Sequence, residues 1–370
     1  MATKNPDILT GPGAGGLVER MGEAVSNFLA SLTPNQRSKA VINFSDDERR
    51  KWNYVPLVRV GLSLSEMDFG QRQLAHRLAA TGLSRGGYVA ASTIIGLETT
   101  LDAVEDWKDS GPDRDPGMFY VTIFGEPHEK EPWGWRFEGH HISLNYTIAN
   151  GAIVSPTPTF FGANPAESPL GGISSLRPLS GVEDLARDLI HLLDEGQRAA
   201  AILSPVAPHD IVMSNRPKVI EGALPISAAE MMGVATTDEA TNRVEDRIKK
   251  LGLAPEHFEA LRYSHNPKGI PVSRLDAAQH EALNDLIKEY IDRMPEELAE
   301  IELQKGGTVA CIGLQQAGQY HQQDRYGNRC QHRHLHAFSR IGVTCHTLGI
   351  ELSPEVLVVA TAHAQDGSLR

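Results

Sequence analysis

Cysteine is scarce. The chain has three in 370 residues (Cys311, Cys330 and Cys345), all in its last sixty positions and none in a CxxC pair. An odd, scattered set excludes a disulfide framework and fits reduced thiols. Long apolar runs are also missing, and none approaches the roughly 18 residues of a membrane-spanning helix. Positive charge is in deficit: 35 Lys and Arg stand against 47 Asp and Glu, a formal net charge of −12, with no basic run. This argues against a nucleic-acid binder, whose affinity comes largely from clustered Lys and Arg. The opening "MATKNPDILTGPGAGG" lacks a basic start followed by an apolar stretch, so the cytoplasm is the expected compartment.

The common catalytic signatures are absent or out of context. "GPGAGG" (11–16) spells GxGxxG, but no strand precedes it to aim a phosphate loop, so no nucleotide cofactor is expected. "GLSRG" (82–86) spells GxSxG after a helical pattern, whereas a nucleophile elbow needs a strand leading into a helix. Walker A, HExxH and EF-hand patterns do not occur.

What is present is ordinary globular material, 41% apolar and 22% charged. Val18, Met21, Val25, Phe28, Leu29 and Leu32 predict one buried helical stripe, and 64–81 and 88–107 continue as helix. From "MFYVTIFG" (118–125) the pattern turns strand-like, 135–148 alternates as a second strand, and Asn150-Gly151 marks a turn. The Pro-rich 155–172 reads as a long ordered loop. Helix returns over 181–203, with Ser180 and Glu183 as a capping box, and again over 274–294 through Leu275, Leu283, Leu286, Ile287, Tyr290 and Ile291. The predicted class is α+β, with helices flanking a small, mostly antiparallel sheet.

Two stretches carry candidate chemistry. In "WGWRFEGHHISLN" (133–145), strand alternation puts Arg136, Glu138 and His140 on one face. Trp135, Phe137, Gly139 and His141 then share the other, which Ser143 and Asn145 continue. An Arg–Glu–His face can hold a carboxylate or a metal; it is equally the pattern of a polar face with Arg136 paired to Glu138. In "QYHQQDRYGNRCQHRHLHAF" (319–338), His334-x-His336 puts two imidazoles on one side of a strand, a common first pair in zinc and non-haem iron sites. A solvated polar loop would look the same.

Five blocks resemble a known family. "RRKWNYVPLVRVGLSLSEM" (49–67), "RDPGMFYVTIFGEP" (114–127), "WGWRFEGHHISLN" (133–145), "TPTFFGANPAE" (157–167) and the run from Leu176 to Ile211 are similar to the domain of unknown function 3500 family, over about 40–300. The resemblance implies a large α+β domain with a polar centre at Arg136, His140, His141 and Asn145, and no activity. The end of the chain departs from it. Family members close with an acidic strand between two His-containing blocks. Here "YHQQDR" (320–325) and "HLHAF" (334–338) are faint echoes, too close together to hold that strand, and 339–370 has no counterpart. A diverged branch and a reading frame shifted after about residue 305 both account for this. The expected organisation is an N-terminal arm and helix (1–40), a family-like core (41–300) and an atypical His-rich segment (301–370).

The resulting expectation is a metal-dependent hydrolase or lyase acting on a small anionic or oxygen-rich molecule. Zinc or iron would sit on His140 and His141, with His334 and His336; Arg136 would clamp a carboxylate, and Glu138 would be the general base. Trp133, Trp135 and Asn145 would complete the substrate pocket. A metal-free small-molecule binder, a metal-free His–Glu acid–base enzyme and a non-haem iron oxygenase are the rival expectations. The expected partner is a small-molecule ligand, with no nucleic acid and no membrane; homo-oligomerisation is open.

Overall fold

The computed structural model describes residues 13–45, 47–107, 112–171, 173–206, 215–216, 220–225, 242, 245–246, 248–264, 266, 268–305, 311–315, 337–339 and 356–360. They fall into two compact units. One runs through Phe161 and takes in the segment that starts at Lys288; the other spans Gly162–Ile287 with later residues.

The first unit begins with α1 (Ala14–Ser31), whose buried side carries Leu17, Met21, Ala24, Val25, Phe28 and Leu29. "GPGAGG" therefore ends inside the first turn of a helix, with Gly13 in the left-handed region at φ 88° as its N-cap. A short α2 (Pro34–Ala40) leads into β1 (Val41–Ile42). An irregular strap then runs to β2 (Leu62–Ser63). Next come α3 (Phe69–Thr81) and α4 (Arg85–Val104), capped by Asp68 and Ser84. Ser84 Oγ accepts from Gly87 N at 3.0 Å, so the serine of "GLSRG" caps a helix in a turn between two helices.

The sheet follows: β3 (Tyr120–Phe124), β4 (Trp133–Gly139), β5 (Ile142–Ala149), β6 (Ala152–Ser155) and β7 (Thr159–Ala163). It is ordered β1–β3–β4–β5–β7, with β2 also on β3 and β6 also on β5; β1 is parallel to β3 and the other pairs among these strands are antiparallel. The α+β class and the mostly antiparallel sheet are as the patterning predicts. Asn150 and Gly151 both have positive φ, 52° and 69°, and form the predicted turn between β5 and β6.

Three expectations are corrected. The alternation over 135–148 is two strands, not one. β4 and β5 pair as a hairpin in which Gly139 lies opposite Ile142, leaving His140 and His141 as a two-residue turn. His141 supplies the left-handed backbone at φ 60° that a tight connection requires. The Pro-rich 155–172 is not a plain loop. Thr159–Leu144 through Phe161–Ile142 pair β7 with β5, and Ser168–Gly171 (β8) pairs with Ser174–Leu176 (β9). Pro158 and Pro165 stand just outside β7, where proline costs no ladder bond. The proposed capping box also fails: Leu179 occupies the N-cap of α5 (Ser180–Leu192), and Glu183 pairs with Arg177 and Arg187 instead.

In the second unit α5 is followed by α6 (Glu195–Ala201) and, later, α7 (Pro255–Ala260), β10 (Ile270–Pro271) and the greater part of α8 (Ala277–Ile291), through Ile287. Asp194 and Asp276 cap α6 and α8, and the Gln197 and Gln279 amides hydrogen-bond to each other at 2.8 and 3.0 Å. The six apolar residues predicted along 274–294 are all buried. Beyond them, α9 (Glu296–Lys305) belongs to the first unit, where Glu297 pairs with Arg20 of α1 at 2.5 Å. Among the described residues no helix is long and apolar enough to cross a membrane.

The core of the first unit centres on Trp135, which stacks on Tyr146 with ring centroids 4.8 Å apart and planes at 16°. Tyr146 Oη donates to Gly82 O at 2.7 Å, tying the sheet to the turn between α3 and α4. A Cβ on Gly82 would lie 2.6 Å from Tyr146 Cε2 and 2.7 Å from Trp135 Cη2, whereas one on Gly96 would meet nothing within 4 Å. Gly82→Ala should therefore lower the melting temperature by overpacking worth about 1–3 kcal/mol, while Gly96→Ala in exposed α4 should raise stability by about 0.5–1 kcal/mol. Thermal melts of the two variants check this. Burial pushes the His76 imidazole below its ordinary 6.5. The unfolded chain then binds this proton more tightly than the folded one, so His76 removes stability as pH falls below about 6.5. His76→Phe should flatten the acid-side slope of melting temperature against pH.

Candidate functional site

Arg136 and Glu138 do share a face of β4, but Ser143 and Asn145 lie on that face too, contrary to expectation. The hairpin register sets Asn145 opposite Arg136 and Ser143 opposite Glu138. With the chain reversing at His140–His141, cross-strand neighbours point the same way. The four side chains are buried, Arg136 to 1% and Glu138 to 2% exposure.

Their partners come from the strap between β1 and β2. Glu138 accepts from Arg59 Nε at 3.1 Å, from Asn53 N at 2.8 Å and from Ser143 Oγ at 2.7 Å. Arg59 also donates to the carbonyls of Val55 (2.6 Å), Leu57 (2.7 Å) and Gly139 (3.0 Å). Arg136 pairs with Glu48 at 2.8 Å and donates to the carbonyls of Glu48 and Lys51. Asn145 bridges Ser143 Oγ (2.9 Å) and Pro158 O (3.0 Å). Trp52 and Tyr54 of the strap pack on Phe160, with Tyr54 stacked at 4.7 Å. Glu138 and Arg136 thus pin a segment that has almost no regular secondary structure of its own. The buried carboxylate is in turn met by a guanidinium and two further donors.

Trp133 and Trp135 point to the opposite face of β4. Trp135 packs on Tyr146, and Trp133 comes within 4.0 Å of a Cβ built on Gly22 in α1.

His140 is placed differently. The turn carries it past the end of β4 toward α4, where its Nδ1 lies 2.6 Å from Glu98 Oε1, with both residues buried. Its ring lies against that of His141 at 3.9 Å, and His141 N donates to Tyr54 O of the strap. Glu98 and His140 line a recess of about 20 Å³, room for a single water-sized group. Pro56, Leu57, Val58, Arg59, Asp113, Asp115, Met118 and Phe119 complete the lining. Of the predicted Arg136–Glu138–His140 set, only His140 reaches this recess. Sequence reasoning missed Glu98, Arg59 and Asn53. Glu98 occupies a buried position of amphipathic α4, beside the apolar Ile94, Leu97 and Leu101, and an acid on such a stripe is the one signal that singles it out.

Among the described residues, His140 and His141 do not make a coordination set with a third donor. Nδ1 of His140 is taken by Glu98, and among the described residues no group of three His, Cys, Asp or Glu side chains could hold a metal ion. His334 and His336 lie outside the described residues.

Removing one partner of a buried pair strands the other, at about 3–5 kcal/mol. Glu138→Gln and Arg59→Met should each cause a loss of that order, and the double variant should lose less than their sum. Chemical denaturation of the three variants measures the coupling.

Neither the comparison with curated proteins nor that with solved structures gives a match. A family model described as a protein of unknown function (DUF3500) matches residues 14–335, which takes in strands β1 to β7, the strap and α4. By that match the chain belongs to this family of unknown function.

Proposed function

We propose that this chain acts on a small molecule by acid–base chemistry, with His140 transferring the proton and Glu98 orienting the ring. The 2.6 Å contact between Nδ1 of His140 and the Glu98 carboxylate, at the wall of a recess, carries this reading. With its Nδ1–H hydrogen-bonded to the carboxylate, the ring offers Nε2 as a base. Among the described residues, Nε2 makes no hydrogen bond. Hydrolysis or elimination fits such a group, because one nitrogen can take a proton and return it to a leaving group. Glu138, saturated by three donors, supports the strap and recess wall rather than the proton transfer. Glu98 takes the place of Glu138 in the His–Glu pair.

A bound zinc or iron on His140 and His141 would need a third donor, which elemental analysis of untagged protein tests. Near-stoichiometric metal that disappears in His140→Ala would replace the metal-free reading.

Two measurements test the pair. Long-range 15N–1H spectra should show a fixed Nδ1–H tautomer at His140 that Glu98→Ala releases. Any turnover found by screening small molecules should survive chelators and fall about 10²–10⁴-fold in His140→Gln, with the melting temperature nearly unchanged. Turnover that persists in His140→Gln would refute the assignment.

A further inference from the structure

We infer that the recess beside His140 receives a cationic nitrogen, the ammonium head of a small alkylamine; this rests on the recess being a ligand site, as proposed above. Glu98 is 3% exposed and uses Oε1 on His140, while its Oε2 is buried with no hydrogen-bond partner among the described residues. A buried carboxylate oxygen without a donor is unfavourable, because it has lost water and gained no partner. It is therefore an acceptor that a ligand donor completes.

Two further acidic residues stand on the wall. Asp113 and Asp115 line the recess with Glu98. The guanidinium on that wall, Arg59, is already paired with Glu138 and bonded to backbone carbonyls. Asp115 accepts from Gly117 N at 2.7 Å through Oδ1. An anion would face three carboxylates with the nearby guanidinium committed elsewhere, whereas an ammonium would bring three N–H donors to them. A volume of about 20 Å³ suits one such head group. The recess holds the head group alone, and the exposed Val58 at its rim offers apolar surface for a short alkyl chain outside it. The small anionic molecule expected from the sequence does not suit this recess.

The test uses the full chain with propylammonium chloride and sodium propionate as probes, followed by the His140 ring resonances and by thermal shift. Propylammonium should shift the ring signals saturably and raise the melting temperature, and propionate should do neither. Glu98→Gln should weaken the amine about 10–100-fold, the worth of a hydrogen bond to a charged group. Asp113→Asn, at an exposed position where folding is not at stake, should weaken it about 2–5-fold. Binding of propionate alone, no response to either probe, or amine binding unchanged in Asp113→Asn and Glu98→Gln would overturn the inference. The His140 tautomer is read in the same spectra. A fixed Nδ1–H with no amine response sinks the ligand class alone. Amine binding without the fixed tautomer sinks the acid–base role alone.

Discussion

The carboxylate of Glu138 sets the organisation of the first unit. It sits buried at the end of a central strand, where a carboxylate is tolerated only with partners. Arg59, Asn53 N and Ser143 provide them, and all three lie far from Glu138 in sequence or across the hairpin. Meeting that single requirement draws the strap from Asn53 to Arg59 onto the sheet. Arg59 then spends its other N–H groups on carbonyls of the strap and of Gly139, so one ion pair fixes a whole irregular segment.

The recess is a consequence of that docking. Its wall from Pro56 to Arg59 is strap, its far side is α4 and the Asp113–Phe119 segment, and His140 sits between them on the hairpin turn. Because His141 takes the left-handed backbone conformation, the turn closes in two residues and delivers His140 against Glu98. Arg136 and Glu138 on β4 therefore hold the strap to the sheet, and His140, the residue proposed above for chemistry, stands one residue beyond the strand. Such a division is common where a buried polar network must be complete before a site can be rigid.

Several features were readable along the chain because their physics is local. The stripe Met21–Val25–Phe28–Leu29, the Asn150-Gly151 turn and the apolar face of α8 depend on spacing and turn chemistry alone. The hairpin was not readable, since His-His lacks the Asn-Gly or Asp-Gly signal of a tight turn and the alternation of β4 runs on visually into β5. The partners of Arg136 and Glu138 were hidden for another reason: 79 to 88 residues separate them from the strap side chains they bind. The second histidine cluster, with His334 and His336, falls outside the described residues.

The sequence by itself determined the α+β class, the family, the periodic helices and the presence of a polar centre near 136–145, all consequences of patterns that neighbours impose on one another. Only the tertiary structure decided which partners satisfy those polar groups. Whether a buried charge is spent on the fold or left for chemistry depends on partners brought close by folding, and Glu98 beside His140, 42 residues apart in the chain, is a pairing that no local pattern encodes.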